Sequence, residues 1–299
     1  MDILSYPAII RPVISIILAI ISFFTSTIGG GPLIPHGKEI DISEYEITWQ
    51  DEFDGDSLDF SKWDGHFFEH GQTIIRRGSY WNTDLAVVKD GKLHIETKYY
   101  PDGLNGNGKP GWYTCGIDTS RCVMQRYGYF ECRCVLPKGT GLWSAFWMFS
   151  SGVGDTEHYG TNGKFGSEID VFESPFYFRE DKFSRNSVSS NIHIDGYGEF
   201  HKSENVCKVH LPNDPYEEFN TYGVLWTPEE YIFYVNGIET GRTKFGVSQV
   251  PEWLILSVEI GGNNGVPADD WSGPSINSNE EPVTDFIVDY VRMYQKKEK

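Results

Sequence analysis

The chain has 299 residues, 43 of them acidic and 25 basic, for a net charge of −18. That length suits one large β domain, and the acidic balance excludes nucleic acid and polyanions in general as ligands while leaving neutral polymers open. Aromatic residues make up 15% of the chain, with 9 Trp, 17 Tyr and 19 Phe beside 32 Gly. This mixture fits an all-β sandwich with Gly-rich turns and a groove lined by aromatic rings.

Residues 1–30 read as a segment outside the fold. Arg11 precedes Val13–Phe24, an almost wholly apolar run, and Thr25-Ser26-Thr27-Ile28-Gly29-Gly30 follows it. The run is shorter than the roughly 20 residues that span a bilayer and matches the core of a signal peptide. No Ala-x-Ala triplet marks a cleavage site, so an uncleaved membrane anchor is the second reading and a buried core helix the third. Export is expected either way. Residues 31–43 read as a Pro/Gly linker and residues 44–296 as the folded domain.

From Tyr45 onward, short apolar or alternating runs are punctuated by turn residues. They include Leu85–Val88, Leu93–Thr97, Tyr129–Leu136, Val188–Ile194, Tyr222–Trp226, Tyr231–Val235, Trp253–Ile260 and Phe286–Tyr294. Asp90-Gly91, Pro228-Glu229 and Asn236-Gly237 lie between runs, and the last predicts a hairpin joining Tyr231–Val235 to Ile238–Arg242. No helical period appears after the N-terminal run. The pattern predicts one antiparallel sandwich; a β-propeller would need a repeat of about 40–45 residues, and none is present.

The most informative stretch is Glu168-Ile169-Asp170-Val171-Phe172-Glu173, three carboxylates within a β-prone segment. Alternation sends Glu168 and Asp170 to one face of a strand and Glu173 to the other. One extra residue, a β-bulge at about Val171-Phe172, returns Glu173 to the face of Glu168 and Asp170. Two glutamates on one wall can act as nucleophile and acid/base in retaining glycoside hydrolysis. The competing reading, a strand whose acids merely face water, leaves the apolar neighbours unexplained.

The Glu-x-Asp-x-x-Glu pattern resembles the active-site strand of glycoside hydrolase family 16 in its bulged, laminarinase-like form. The resemblance runs in order through Asp51-Glu52-Phe53-Asp54-Gly55, Asp90-Gly91-Lys92-Leu93, Tyr127–Arg133, Leu136–Gly139, Gly141–Met148, Trp226-Thr227-Pro228, Phe233–Gly237 and Val288–Tyr294. It implies a concanavalin-like jelly-roll sandwich of two curved antiparallel sheets. It makes Glu168 the nucleophile, Glu173 the acid/base and Asp170 the helper between them, hydrogen-bonded to Glu168.

The same resemblance assigns Trp143 and Trp147, four apart and so on one strand face, to the substrate groove. Placed in the groove with them are His193 near the acid/base or leaving-group side, Trp271 in a Gly-rich loop at the distal subsites, and Trp81-Asn82 at the negative subsites. Glu259, standing before Gly261-Gly262, has no reading. The resemblance also implies a structural calcium at Gly91 and Asp289, with no cofactor required for catalysis; oxygen ligands there suit a hard cation. Zinc is not expected, because neither the Cys nor the His residues show ligand spacing along the chain. Cys115, Cys122, Cys132, Cys134 and Cys207 are odd in number. Cys132 or Cys134 could reach Cys115 or Cys122, with connectivity left open.

These readings converge on a secreted, monomeric, retaining endo-β-glycosidase acting on β-1,3 or mixed β-1,3/1,4 glucan. A β-galactan hydrolase of agarase, galactanase or carrageenase type is the alternative, with Arg76-Arg77 as one local anion site. A lectin-like module with inactive carboxylates is the alternative of another class. A membrane enters only through an uncleaved N-terminal segment.

Overall fold

The computed structural model describes residues 35, 37–65, 69–175, 186–276, 278–279 and 282–298. The Val13–Phe24 run lies outside them. Two antiparallel sheets face one another. One has six strands in the order Lys202–His210, Ser187–Ile194, Glu168–Pro175, Leu142–Phe149, Trp253–Ile260 and Gly116–Asp118. The other has eight, running from Ile238–Thr243 through Tyr231–Val235, Asn220–Trp226, Gly128–Val135, Phe286–Lys296 and Lys92–Ile95 to Ala86–Lys89, with Tyr45–Asp51 also paired to Phe286–Lys296. The predicted sandwich is therefore present, and the predicted runs fall on its strands. Two of the three turn dipeptides form the left-handed pairs of tight hairpins: Asp90 and Gly91 have φ of 53° and 67°, Asn236 and Gly237 of 50° and 75°.

Alternation in the six-stranded sheet separates a core face from a groove face. Leu142, Phe146 and Met148 point inward with Ile169, Leu254, Leu256, Val258 and Ile260, all fully buried. Trp143, Ala145, Trp147 and Phe149 line the groove. Phe172 ties the sheets together: its ring stands 4.4 Å from that of Tyr222 and 6.2 Å from that of Phe286, both on the opposite sheet. Truncating so buried a ring to Ala costs about 3–5 kcal/mol.

The polar strand Lys202–His210 was not evident in the sequence, because it is an edge strand whose alternate residues face solvent. The five cysteines are free thiols, so the suggested bridges to Cys115 or Cys122 do not form. Among the described residues no helix is long and apolar enough to cross a membrane.

Candidate active site

The acidic strand carries the bulge. Phe172 pairs with Phe146 and Asp170 with Trp147, leaving Val171 as the extra residue; on the other side Asp170 pairs with Asn191 and Glu173 with Ser189. Val171 turns inward with Ile169 and Phe172, so Glu168, Asp170 and Glu173 share one groove of about 600 Å³. A bulge strands a backbone carbonyl, and here the Ser190 hydroxyl donates to Val171 O at 2.8 Å. Small residues, Ala145 and Ser257, lie beside Glu173 across the strands and leave the floor open there.

The three carboxylates have distinct surroundings. Burial raises all three pKa values, and the groups repel one another. For Glu168 the rise is opposed by the Tyr197 hydroxyl, which donates to its Oε2, and by His193. Glu173 is pushed well above the carboxylate range by burial and then by Asp170 and Glu168; His193 and the Asn191 amide, which donates to Oε2 at 2.8 Å, oppose this only in part. Asn191 is held in turn by Asn205 at 2.7 Å. All three carboxyls are thus shifted upward, and the rise is opposed at Glu168 by the Tyr197 hydroxyl and His193 and at Glu173 by His193 and Asn191.

Asp170 is 3% exposed. Its Oδ2 lies 3.3 Å from His193 Nε2 and makes no hydrogen bond. His193 itself stands opposite Glu168, while the antiparallel register places Ser189 and Asn191 beside Glu173 and Asp170. His193 Nδ1 meets His201 Nε2 at 2.8 Å.

Of the predicted tryptophans, Trp143, Trp147 and Trp271 line the groove. Trp147 donates to Ser257 Oγ at 3.1 Å and is nearly covered. Trp143 is covered as well, by the Arg77 guanidinium 5.0 Å above its ring and by Trp271 at 4.9 Å. Trp271, 46% exposed, is the open face. Trp81 and Asn82 are not groove residues. Trp81 is 1% exposed and donates to Val258 O at 2.9 Å, while Asn82 caps the turn Thr83–Leu85 and donates to Gly71 O and Thr73 Oγ1. An aromatic and an amide beside a strand end look alike in sequence whether they face groove or core.

Trp81 acts indirectly, supporting the Arg76 guanidinium 5.0 Å above its ring. Glu259 now has a reading. Its buried carboxylate accepts a hydrogen bond from Arg76 Nε on Oε1 at 2.7 Å and forms an ion pair with Arg77, whose Nε stands 2.7 Å from Oε2, fixing both arginines in the groove wall. Their hairpin is tight: Arg77 has φ 51°, and a Cβ on Gly78 would meet Gly261 O at 2.2 Å. The Gly78 N–H bonds Ile260 O at 3.0 Å, pinning the tip to the groove floor.

The calcium residues sit elsewhere. Gly91 is the exposed tip of a hairpin, and Asp289 lies at an irregularity of the long strand with its Oδ2 2.5 Å from Arg133 Nη1. A guanidinium already neutralises that carboxylate, so these residues as arranged do not fit a hard cation.

Three carboxylates on one wall of an aromatic-lined groove, Asp170 buried and Glu168 and Glu173 half-buried, are the equipment of a glycoside hydrolase. The chain belongs to glycoside hydrolase family 16: residues 47–296 match the family model described as the beta-porphyranase A–D GH16 domain. It is 28% identical over 287 residues to glucan endo-1,3-beta-glucosidase A1 of Niallia circulans, covering 85% of this chain and 38% of that protein. It is also 32% identical to the kappa-carrageenase of Pseudoalteromonas carrageenovora, over 72% of this chain and 57% of that one. The X-ray structure of the laminarinase from Rhodothermus marinus superposes with a TM-score of 0.62 at 25% identity, covering 85% of this chain and 98% of that one.

Proposed function

We propose that this chain is a retaining endo-β-glycosidase that cuts β-1,3 or mixed β-1,3/1,4 glucan by double displacement. The observation that carries the reading is the Val171 bulge, which sets Glu168, Asp170 and Glu173 on one groove wall. In the first step the Glu168 carboxylate attacks the anomeric carbon while Glu173 gives its proton to the departing glycosidic oxygen. The glycosyl-enzyme ester forms as the glycosidic bond breaks. In the second step Glu173, now a carboxylate, takes a proton from water, which attacks the anomeric carbon and releases Glu168. Trp271 offers its exposed indole to a pyranose face, and Trp147 and the Arg77-covered Trp143 close the floor. The relatives named as glucan endo-1,3-beta-glucosidase, beta-glucanase and endo-1,3-1,4-beta-glycanase favour a glucan. We take the chain to be exported by its Val13–Phe24 run and to act as a monomer.

A second reading, a β-galactan hydrolase, is favoured by the porphyranase family model and by Arg76 and Arg77 in the groove wall. Initial rates and product analysis on laminarin, mixed-linkage glucan, agarose, porphyran, carrageenan and galactan separate the two. Glucan oligosaccharides released with little dependence on salt support the first reading. Preference for a sulfated galactan, with an apparent affinity that falls steeply as salt screens the arginines, replaces it with the second.

A further inference from the structure

We propose that Glu168, Asp170 and His193 form a Zn²⁺ site whose occupation shuts the enzyme off. One donor atom from each of the three lies within 4.8 Å of the others. The 3.3 Å between Asp170 Oδ2 and His193 Nε2 is one edge of a tetrahedron, since ligands about 2.0–2.2 Å from zinc stand about 3.3–3.6 Å apart. The same distance is long for a charge-assisted hydrogen bond, which runs at about 2.7–2.9 Å.

Asp170 supplies the second, independent sign. It is 3% exposed, its Oδ2 has no hydrogen-bond partner, and it faces the groove. A buried carboxylate oxygen left unbonded is costly, and a cation there removes the cost. His193 is prepared for the same role. With its proton on Nδ1, donated to His201 Nε2 at 2.8 Å, the Nε2 lone pair is left pointing toward Asp170. The two imidazole rings are 6° from parallel, which fixes the orientation. An imidazole with two carboxylates suits Zn²⁺ better than Ca²⁺ or Mg²⁺, and three protein ligands leave a fourth position open to the groove. Sequence spacing hides such a site, because Glu168 and His193 meet only as partners across two strands.

Coordination changes no covalent bond. It occupies the Glu168 carboxylate that must attack the sugar, so inhibition is reversible by chelation.

The test is calorimetric titration of the whole chain with ZnCl₂ at neutral pH, beside His193→Gln, His201→Ala and His94→Gln. His94 Nδ1 stands 3.0 Å from Asp285 Oδ2, away from the groove, and serves as a competing site. One zinc should bind per wild-type chain. His193→Gln should weaken it at least about tenfold, and His201→Ala, which frees the His193 ring, by roughly 10- to 100-fold. His94→Gln should leave it unchanged. Zinc should also lower the wild-type kcat, with EDTA restoring it. No zinc binding to the wild type overturns the proposal, as does binding that follows His94 or ignores both His193 and His201. Far-UV circular dichroism confirms that each variant is folded. Because the titration reads the metal itself, it stands or falls apart from the identity of the polysaccharide.

Discussion

Replacing Glu252 with Gln should make the stability of the protein less sensitive to pH. Glu252 is fully buried just before the Trp253–Ile260 strand. Its Oε1 accepts from Ser167 N at 3.0 Å, and its Oε2 has no partner. Burial, offset in part by the Ser167 hydrogen bonds, raises its pKa from 4.5 to about 8. The unfolded chain loses this proton near pH 4.5 while the folded chain keeps it. The favourable contribution is therefore complete below pH 4.5 and is lost as the pH climbs to about 8. At about 1.4 kcal/mol per pH unit the whole interval amounts to at most about 5 kcal/mol. Gln mimics the protonated acid and carries no such term. The buried groove carboxylates titrate in the same sense in both proteins, so the difference between them isolates residue 252. Urea unfolding followed by tryptophan fluorescence at pH 5, 6, 7 and 8 should show the variant gaining on the wild type at each step. Parallel curves would refute the reasoning.

Other outcomes follow from the groove. Asn191→Ala removes the amide that favours the charged form of Glu173, so the alkaline limb of the kcat/KM profile should move to higher pH; an unmoved limb removes Asn191 from that role. Trp271→Ala should raise KM with kcat little changed, by roughly 2- to 12-fold if the stacking is worth about 0.5–1.5 kcal/mol. Deleting Val171 leaves Glu-Ile-Asp-Phe-Glu, a regular strand that still puts all three carboxylates on one face, so the deletion should retain more activity than Glu173→Ala. Activity no higher than that of Glu173→Ala would mean that the bulge sets more than the facing.

What the sequence disclosed was governed by local pattern. Two left-handed turn pairs, Asp90-Gly91 and Asn236-Gly237, and the apolar runs located most of the sandwich before any coordinates. The conflict between three acids and a period of two located the bulge to within a residue. Contacts made across strands were not legible. Asn191 and His193 are near in sequence, yet register alone decides which of them meets Glu173 and which meets Asp170. Tyr197 and His201 come from a loop with no periodicity to orient them. Glu259 was conspicuous as a charge in an apolar strand, but its meaning depended on a hairpin more than 180 residues earlier. Trp81 misled because a strand-end tryptophan carries no mark of which sheet face it takes.

The central claim is that Glu168 is the nucleophile and Glu173 the acid/base, and azide rescue with an activated aryl β-glycoside tests it most directly. In Glu173→Ala the nucleophile remains and the leaving group needs little protonation, so the glycosyl-enzyme should form and azide should release it as the β-glycosyl azide. In Glu168→Ala azide should enter the vacated space and attack directly, giving the α-glycosyl azide. Opposite anomers from the two variants, assigned by proton NMR, are the predicted result. The same anomer from both would contradict the assignment, as would inversion by the wild type.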